Sequence, residues 1–187
     1  MTKKRIIVGL TGASGVIYGV KFIEELRKLD YEVHLIVSES AKINLEIETD
    51  VLLDSLLKNV DFYYDNNDLT SKPASGSFIF DSMVIIPCSI KSLSAVANCR
   101  SDNLLIRAAD VCLKEKRKLV LVVRETPLHK GHLKLLTEAC DMGALILPPV
   151  PSFYHNPKTI DDIINHTIGK IFDYLKINHT LFKRWGD

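Results

Sequence analysis

The chain has 187 residues, 47% hydrophobic and 25% charged, the length of one domain with apolar mass for a substantial core, which excludes a disordered or collagen-like chain. Its 24 Lys and Arg against 23 Asp and Glu give a formal net charge of +1, so the balance proposes neither a nucleic-acid nor an anionic-membrane partner, and any phosphate chemistry rests on local placement. No run approaches the roughly 20 apolar residues of a membrane span.

The cationic start, Met1 to Arg5, leads into an apolar stretch that breaks at Gly9, Thr11 and Gly12, too soon for a signal-peptide core. Cys88, Cys99, Cys112 and Cys140 lack CxxC spacing and read as free thiols, so a cytoplasmic location is expected. The apolar run Arg5 to Leu10 predicts a strand, Thr11-Gly-Ala-Ser-Gly15 a glycine loop, and Ile17, Val20, Ile23, Leu26 and Leu29 a helix. The pattern returns at Val33 to Val37, closed by Ser38 and followed by a helix through Ala41 and Ile47. From Asp54 to Ser77 the chain is polar and turn-rich, a surface excursion with only Phe62, Tyr63 and Tyr64 as an edge strand. Further strands are expected at Met83 to Ile86, Leu119 to Val123 and Ala144 to Leu147, and helices at Ser89 to Ala97, Asn103 to Lys116 and Leu128 to Met142. A last helix, Ile160 to Leu175, has an apolar stripe, Thr159 as N-cap and Asp161 and Asp162 in its first turn. Near-continuous apolar strands separated by helices predict an α/β, Rossmann-like (flavodoxin-like), doubly wound parallel sheet. Residues 1–187 read as a single domain, with 176–187 as a tail whose Leu181, Phe182 and Trp185 call for a partner surface.

The loop Thr11 to Gly15 offers N–H groups and hydroxyls to an anion at a helix N-terminus, or else is a tight strand-to-helix turn; it has neither a Walker Lys nor GxGxxG. Ser38 and Ser89 also fall at carboxyl ends of strands, where the ligand crevice of an open parallel sheet opens. Ser89 and Ser92 suit N-capping or a phosphate, whereas Cys88 is either a nucleophile or a buried apolar residue. Arg124 follows directly on an apolar strand, where a charge needs a partner or a ligand, and Glu125 is its neighbour. Arg107 and Lys114 lie two helical turns apart, and either face one site together or form salt bridges to Asp102, Asp110 or Glu115. His129 and His132 lack the further ligands of a zinc helix, and no metal is implied. Among Glu46, Glu48 and Asp50, a carboxylate could serve as general base.

Taken in order, Thr11-Gly-Ala-Ser-Gly-x-x-Tyr-Gly19, Glu48-Thr-Asp50, Pro73-Ala-Ser-Gly-Ser77, Pro87-Cys-Ser89, Asp102 to Val111, Leu113-Lys-Glu115, Val123-Arg-Glu-Thr-Pro127, Pro151-x-Phe-Tyr-His155 and Arg184-Trp-Gly186 strongly resemble the UbiX-type flavin prenyltransferases across nearly the whole chain. The resemblance implies a metal-independent transfer of the dimethylallyl group of dimethylallyl phosphate to N5 and then C6 of reduced FMN. It further implies a homo-oligomer, a dodecamer with sites at subunit interfaces, whose product serves a UbiD-type decarboxylase. Matched position by position, Gly12, Ala13, Ser14, Ser38, Ser89 and Arg124 are the FMN cradle, with Ile90, Lys91 and Ser92 at the same corner. Ser14 and Glu48 match the pair near N5 and the prenyl group. Arg107, Lys114, Glu125, Tyr154 and Lys170 match the surroundings of the substrate phosphate, Lys170 standing where many relatives have Arg. Ser14, Glu48 and Glu125 are the catalytic candidates.

Ionising an allylic phosphate calls for cations at the departing oxygens and a π surface at the prenyl carbon. Asp161-Asp-Ile-Ile-Asn165 is the nearest string to the aspartate-rich segment of metal-dependent prenyl transfer, so holding by Arg and Lys fits better. The rivals are an FMN-dependent cysteine decarboxylase of the same fold, whose active-site His has no convincing counterpart after the second strand, and a non-catalytic FMN carrier, which needs no prenyl-phosphate pocket.

Overall fold

The computed structural model of the protein describes residues 3–186. Met1 and Thr2 of the cationic start and Asp187 at the end of the tail lie outside the described residues. Six strands, β1 Lys4–Leu10, β2 Tyr31–Val37, β3 Phe62–Asp65, β4 Ser82–Cys88, β5 Lys118–Val123 and β6 Leu145–Ile146, form one all-parallel sheet in the order β3-β2-β1-β4-β5-β6. That is the Rossmann order, with its switch point between β1 and β4. The helices are α1 Val16–Arg27, α2 Glu39–Glu48, α3 Leu53–Leu57, α4 Ile90–Ala97, α5 Leu104–Lys114, α6 Lys130–Asp141 and α7 Ile160–Leu175.

Strand alternation sorts two cores. Ile6, Val8 and Leu10 of β1, with Val84 and Ile86 of β4, face α1 and α7, and Leu45 of α2 and Leu56 of α3 join them. Ile7 of β1, with Met83 and Ile85 of β4, faces α4, α5 and Ala139 of α6 on the other side. Every central strand is therefore apolar on both faces, which is why its sequence runs without alternation.

Two expectations change in extent. The excursion from Asp54 contains α3 and a 3-10 turn at Lys72–Ala74, a single helical turn being too short to show a period although Leu56 anchors it. The strand expected over Ala144 to Leu147 shortens to two residues, because Pro148 and Pro149 follow at once and lack the N–H that a ladder needs. β3 forms at the sheet edge beside β2 as expected.

At that edge His34 is buried, stacked on Phe62 at 4.8 Å and bonded to Tyr64 Oη at 2.9 Å and to Glu32 Oε1 at 2.8 Å. Burial lowers its pKa against the opposing pull of Glu32, so the folded state favours the neutral ring. The unfolded chain then binds more protons below about 6.5, and stability present above that pH falls as the solution is acidified toward the folded pKa. Urea unfolding followed between pH 7.5 and 5 is expected to show this decline; a flat profile would remove the neutral buried imidazole.

Candidate active site

The crevice forms where β1, β2, β4 and β5 end. Thr11, buried, ties two of these ends together: its Oγ1 donates to Pro87 O at 2.7 Å and accepts from Ser89 N at 2.8 Å. Ser38 N donates to Leu10 O at 3.0 Å, and Arg124 N donates to Cys88 O at 3.1 Å. The β2 and β4 junctions each open a helix directly. Ser38 Oγ accepts from Ala41 N and caps α2; Ser89 Oγ accepts from Ser92 N at 3.2 Å and donates to Ser92 Oγ at 3.1 Å, capping α4 above Ile90 and the exposed Lys91. The first N–H groups of such helices have no acceptor within the helix.

Between β1 and α1, the N–H groups of Gly12, Ala13 and Ser14 make no protein hydrogen bond among the described residues. Their loop is held from three sides. Asn44 Nδ2 donates to Ala13 O at 3.1 Å, Arg124 Nε donates to Ser14 O at 3.0 Å, and Glu48 Oε2 accepts from Gly15 N at 2.7 Å and Val16 N at 3.2 Å. A Cβ at Gly12 would overlap Ser40 at the start of α2, and Gly15 sits at φ +98°, in the left-handed region that favours glycine. Arg124 at the end of β5 thus has the partner that its position required. A cradle of free N–H groups, capping hydroxyls and one guanidinium has the chemistry to hold a phosphorylated cofactor.

Cys88 lies in the core with its thiol pushed up to about 12 by burial, so it is a packed thiol and no nucleophile. His129 caps α6, its Nδ1 accepting from Gly131 N at 3.0 Å. Among the described residues no three His, Cys, Asp or Glu side chains gather to hold a metal ion, and no helix is long and apolar enough to cross a membrane.

The remaining candidates divide between the two faces of the sheet. On α5, Arg107 pairs with Asp110 at 2.6 Å and donates to Ala74 O at 3.2 Å, while Lys114 pairs with Glu115. Both cations therefore make the salt bridges foreseen for them, and both border the Pro73 to Ser77 turn: a Cβ at Gly76 would overlap the Glu115 carboxylate and come within 2.7 Å of Lys114 Nζ. Tyr154 and Lys170 lie on the α7 side, Tyr154 Oη 3.0 Å from His166 Nε2 and Lys170 Nζ 3.6 Å from Asp173 Oδ2. Glu125 is exposed just beyond β5, its carboxylate accepting from Thr126 N at 3.1 Å. One chain alone does not bring the α5 pair to the α7 pair.

α7 has a second, polar face, on which the sequence suggests a solvated Lys170 beside Gly169 and Asp173 but not the cover that the tail supplies. His166, Gly169 and Asp173 recur at helical spacing opposite the apolar stripe, and the tail folds back on them: Phe182 packs 4.7 Å from the His166 ring, and Arg184 Nη2 meets Asp173 Oδ1 at 2.8 Å. Leu181 and Phe182 are thus half-buried by their own chain, while Trp185 stays 82% exposed beside Tyr154. Glycine inside a helix costs about 1 kcal/mol against alanine, and the close approach of Phe182 and His179 explains Gly169. Gly169→Ala, despite its better propensity, is expected to lift the tail and speed tryptic cleavage at Lys183 and Arg184; unchanged cleavage would show that the ring accommodates the methyl group. A cavity of about 610 Å³ lies between His155–Pro157 and the tail, and one of about 480 Å³ shares its wall and reaches Tyr154 and Trp185.

The family model described as Flavoprotein matches residues 1–184. The flavin prenyltransferase UbiX of Thauera aromatica is 53% identical over 181 residues, covering 97% of this chain and 93% of that protein. This chain belongs to the UbiX flavin prenyltransferase family. Among solved structures of the family, AnUbiX (PadA1), in complex with FMN and dimethylallyl pyrophosphate, superposes with a TM-score of 0.98 at 40% identity, covering 100% of this chain and 99% of its own. A dodecameric FMN-dependent UbiX-like decarboxylase from Escherichia coli O157:H7 gives a TM-score of 0.96 at 40% identity over 98% of this chain and 100% of its own. The family's fold is the six-stranded Rossmann-like sheet described above.

Proposed function

We propose that this protein catalyses flavin prenyl transfer: it joins the dimethylallyl group of a phosphorylated donor to N5 and C6 of reduced FMN. The observation that carries the reading is the cradle at the β1, β2, β4 and β5 ends, open to an anion, in a chain 53% identical to a UbiX flavin prenyltransferase over 97% of its length. FMN is the acceptor substrate, and when bound it supplies the nucleophilic atoms and the π surface beside the prenyl carbon.

In this reading Gly12, Ala13 and Ser14, with Ser38, Ser89 and the α4 start at Ile90, Lys91 and Ser92, hold the flavin phosphate and chain, and Arg124 locks the loop through Ser14 O. The donor's carbon–oxygen bond breaks with its electron pair leaving on phosphate, so the cations Arg107, Lys114 and Lys170, with the Tyr154 hydroxyl, face that charge. The second bond, from C6 to the prenyl group, closes as the prenyl double bond gains a proton, and Glu48 takes the proton that C6 loses, while Glu125 lies close to the departing phosphate. Enclosing both reactants supplies the proximity that a transient complex in water lacks.

Because α5 and α7 cover opposite faces of the sheet, the phosphate set is complete only when a second copy brings its α5 beside this chain's tail. The dodecameric relative supports such an assembly, and a UbiD-type decarboxylase is the proposed recipient of the product in the cytoplasm. Anaerobic incubation of reduced FMN with dimethylallyl phosphate, and separately with the diphosphate, followed by mass spectrometry of the flavin, tests the activity and identifies the donor. A flavin mass unchanged with both donors would refute it; carbon dioxide released from a cysteinyl substrate would favour the decarboxylase reading instead.

A further inference from the structure

His166 is a buried polar residue in α7, 8% exposed, to which the chemistry above gives no role. Its Nε2 lies 3.0 Å from Tyr154 Oη and 3.1 Å from Ser152 Oγ. The ring stacks on His155 at 4.9 Å and 8°, and Phe182 packs beside both rings, 4.7 Å from His166 and 6.5 Å from His155. His155 has its Nδ1 3.3 Å from Ser152 Oγ and its Nε2 enclosed without a partner. Two hydroxyls therefore converge on one imidazole nitrogen.

A bare Nε2 has one lone pair: it takes the Tyr154 hydrogen at 3.0 Å while Ser152 turns its own hydrogen to His155 Nδ1 at 3.3 Å, so the Tyr154 hydrogen points inward and is withheld from any ligand outside. A protonated Nε2 donates, so the phenol oxygen becomes the acceptor and its hydrogen is free to turn outward. We propose that His166 is the positioning residue for Tyr154, and that its protonation on arrival of the donor's phosphate turns the Tyr154 hydroxyl from an inward to an outward donor. The inference rests on the prenyl-transfer reading, which puts the phosphate beside Tyr154 and Lys170.

The charged surroundings fit a group that stays neutral until an anion arrives. His155 packs against the ring from the segment before α7, Lys170 lies one turn further along α7, and Asp173 follows on the same face. From the tail, His179 and Arg184 are both bonded to Asp173, whose charge they offset. Burial first, then His155 and Lys170, lower the pKa of His166 in the free protein, with Asp173 opposing. A phosphate dianion adds the missing negative charge.

Calorimetric titration of dimethylallyl phosphate into protein loaded with oxidised FMN, repeated in buffers of different ionisation enthalpy, measures protons taken up without turnover. Wild-type protein is expected to take up more protons per phosphate than His166→Gln, which keeps a hydrogen-bonding group but cannot titrate; the donor's own second pKa near 6 affects both alike. His166→Phe, which keeps the ring against His155 and Phe182 but loses both hydroxyl contacts, should weaken donor binding by about tenfold while His166→Gln restores it to within about threefold. Equal proton uptake by wild type and His166→Gln, or wild-type affinity in His166→Phe, would overturn the role of His166. Failure of wild-type protein to bind the donor at all would instead overturn the prenyl-transfer reading beneath it.

Discussion

Glu48→Gln is expected to slow prenylated-flavin formation by about 10²- to 10⁴-fold, the range for removing a positioned general base, with FMN affinity close to wild type. The structure gives this residue a second task to separate from the first. Its carboxylate accepts from Gly15 and Val16 N–H at the opening of α1, where a negative charge also complements the helix dipole. A glutamine oxygen can accept the same N–H groups, so the loop should persist while the ability to take a proton is lost. Loss of FMN binding in Glu48→Gln would show that the carboxylate's main service is to hold the loop. Wild-type turnover would move the base elsewhere, to the released phosphate, for example.

Lys170→Met should weaken donor binding by roughly ten- to a hundredfold, the loss expected when one charge-assisted contact disappears. Flavin binding should be spared, because Lys170 stands on α7 and away from the loop that Arg124 and Glu48 secure. Its ammonium is exposed and only loosely paired with Asp173 at 3.6 Å, so it is available to a phosphate. A point charge attracts a dianion without gripping two oxygens in a plane; Lys170→Arg should therefore retain most activity, and Tyr154→Phe should lose less than Lys170→Met. An unchanged donor Michaelis constant and turnover in Lys170→Met would return this residue to the solvated face of its helix.

What the sequence discloses here follows from the range of each interaction. The strands and α7 are legible because their apolar runs and the Thr159 cap with Asp162 are local, and the capping box forms as those residues suggest. The glycine loop and the serines at strand ends are legible as a group because a parallel sheet gathers its carboxyl ends. Long-range pairings are not: Arg124 reaches Ser14 across 110 positions, and Glu48 reaches Gly15 across 33. The second face of α7 was hidden because His166, Gly169 and Asp173 acquire their meaning only when the tail returns to cover them. Arg107 and Lys114 share a helix face, as their spacing implies, but spacing cannot reveal that the sheet lies between them and Lys170.

That separation of cations has a genetic consequence. Suppose one chain carries Arg107→Met and another Lys170→Met, each defective by itself. If a working phosphate site takes its α5 from one copy and its α7 from another, mixed assemblies contain a minority of sites in which both halves are wild type. Two defective alleles expressed together would then complement each other, whereas a site built within one chain would leave the mixture as impaired as its parents.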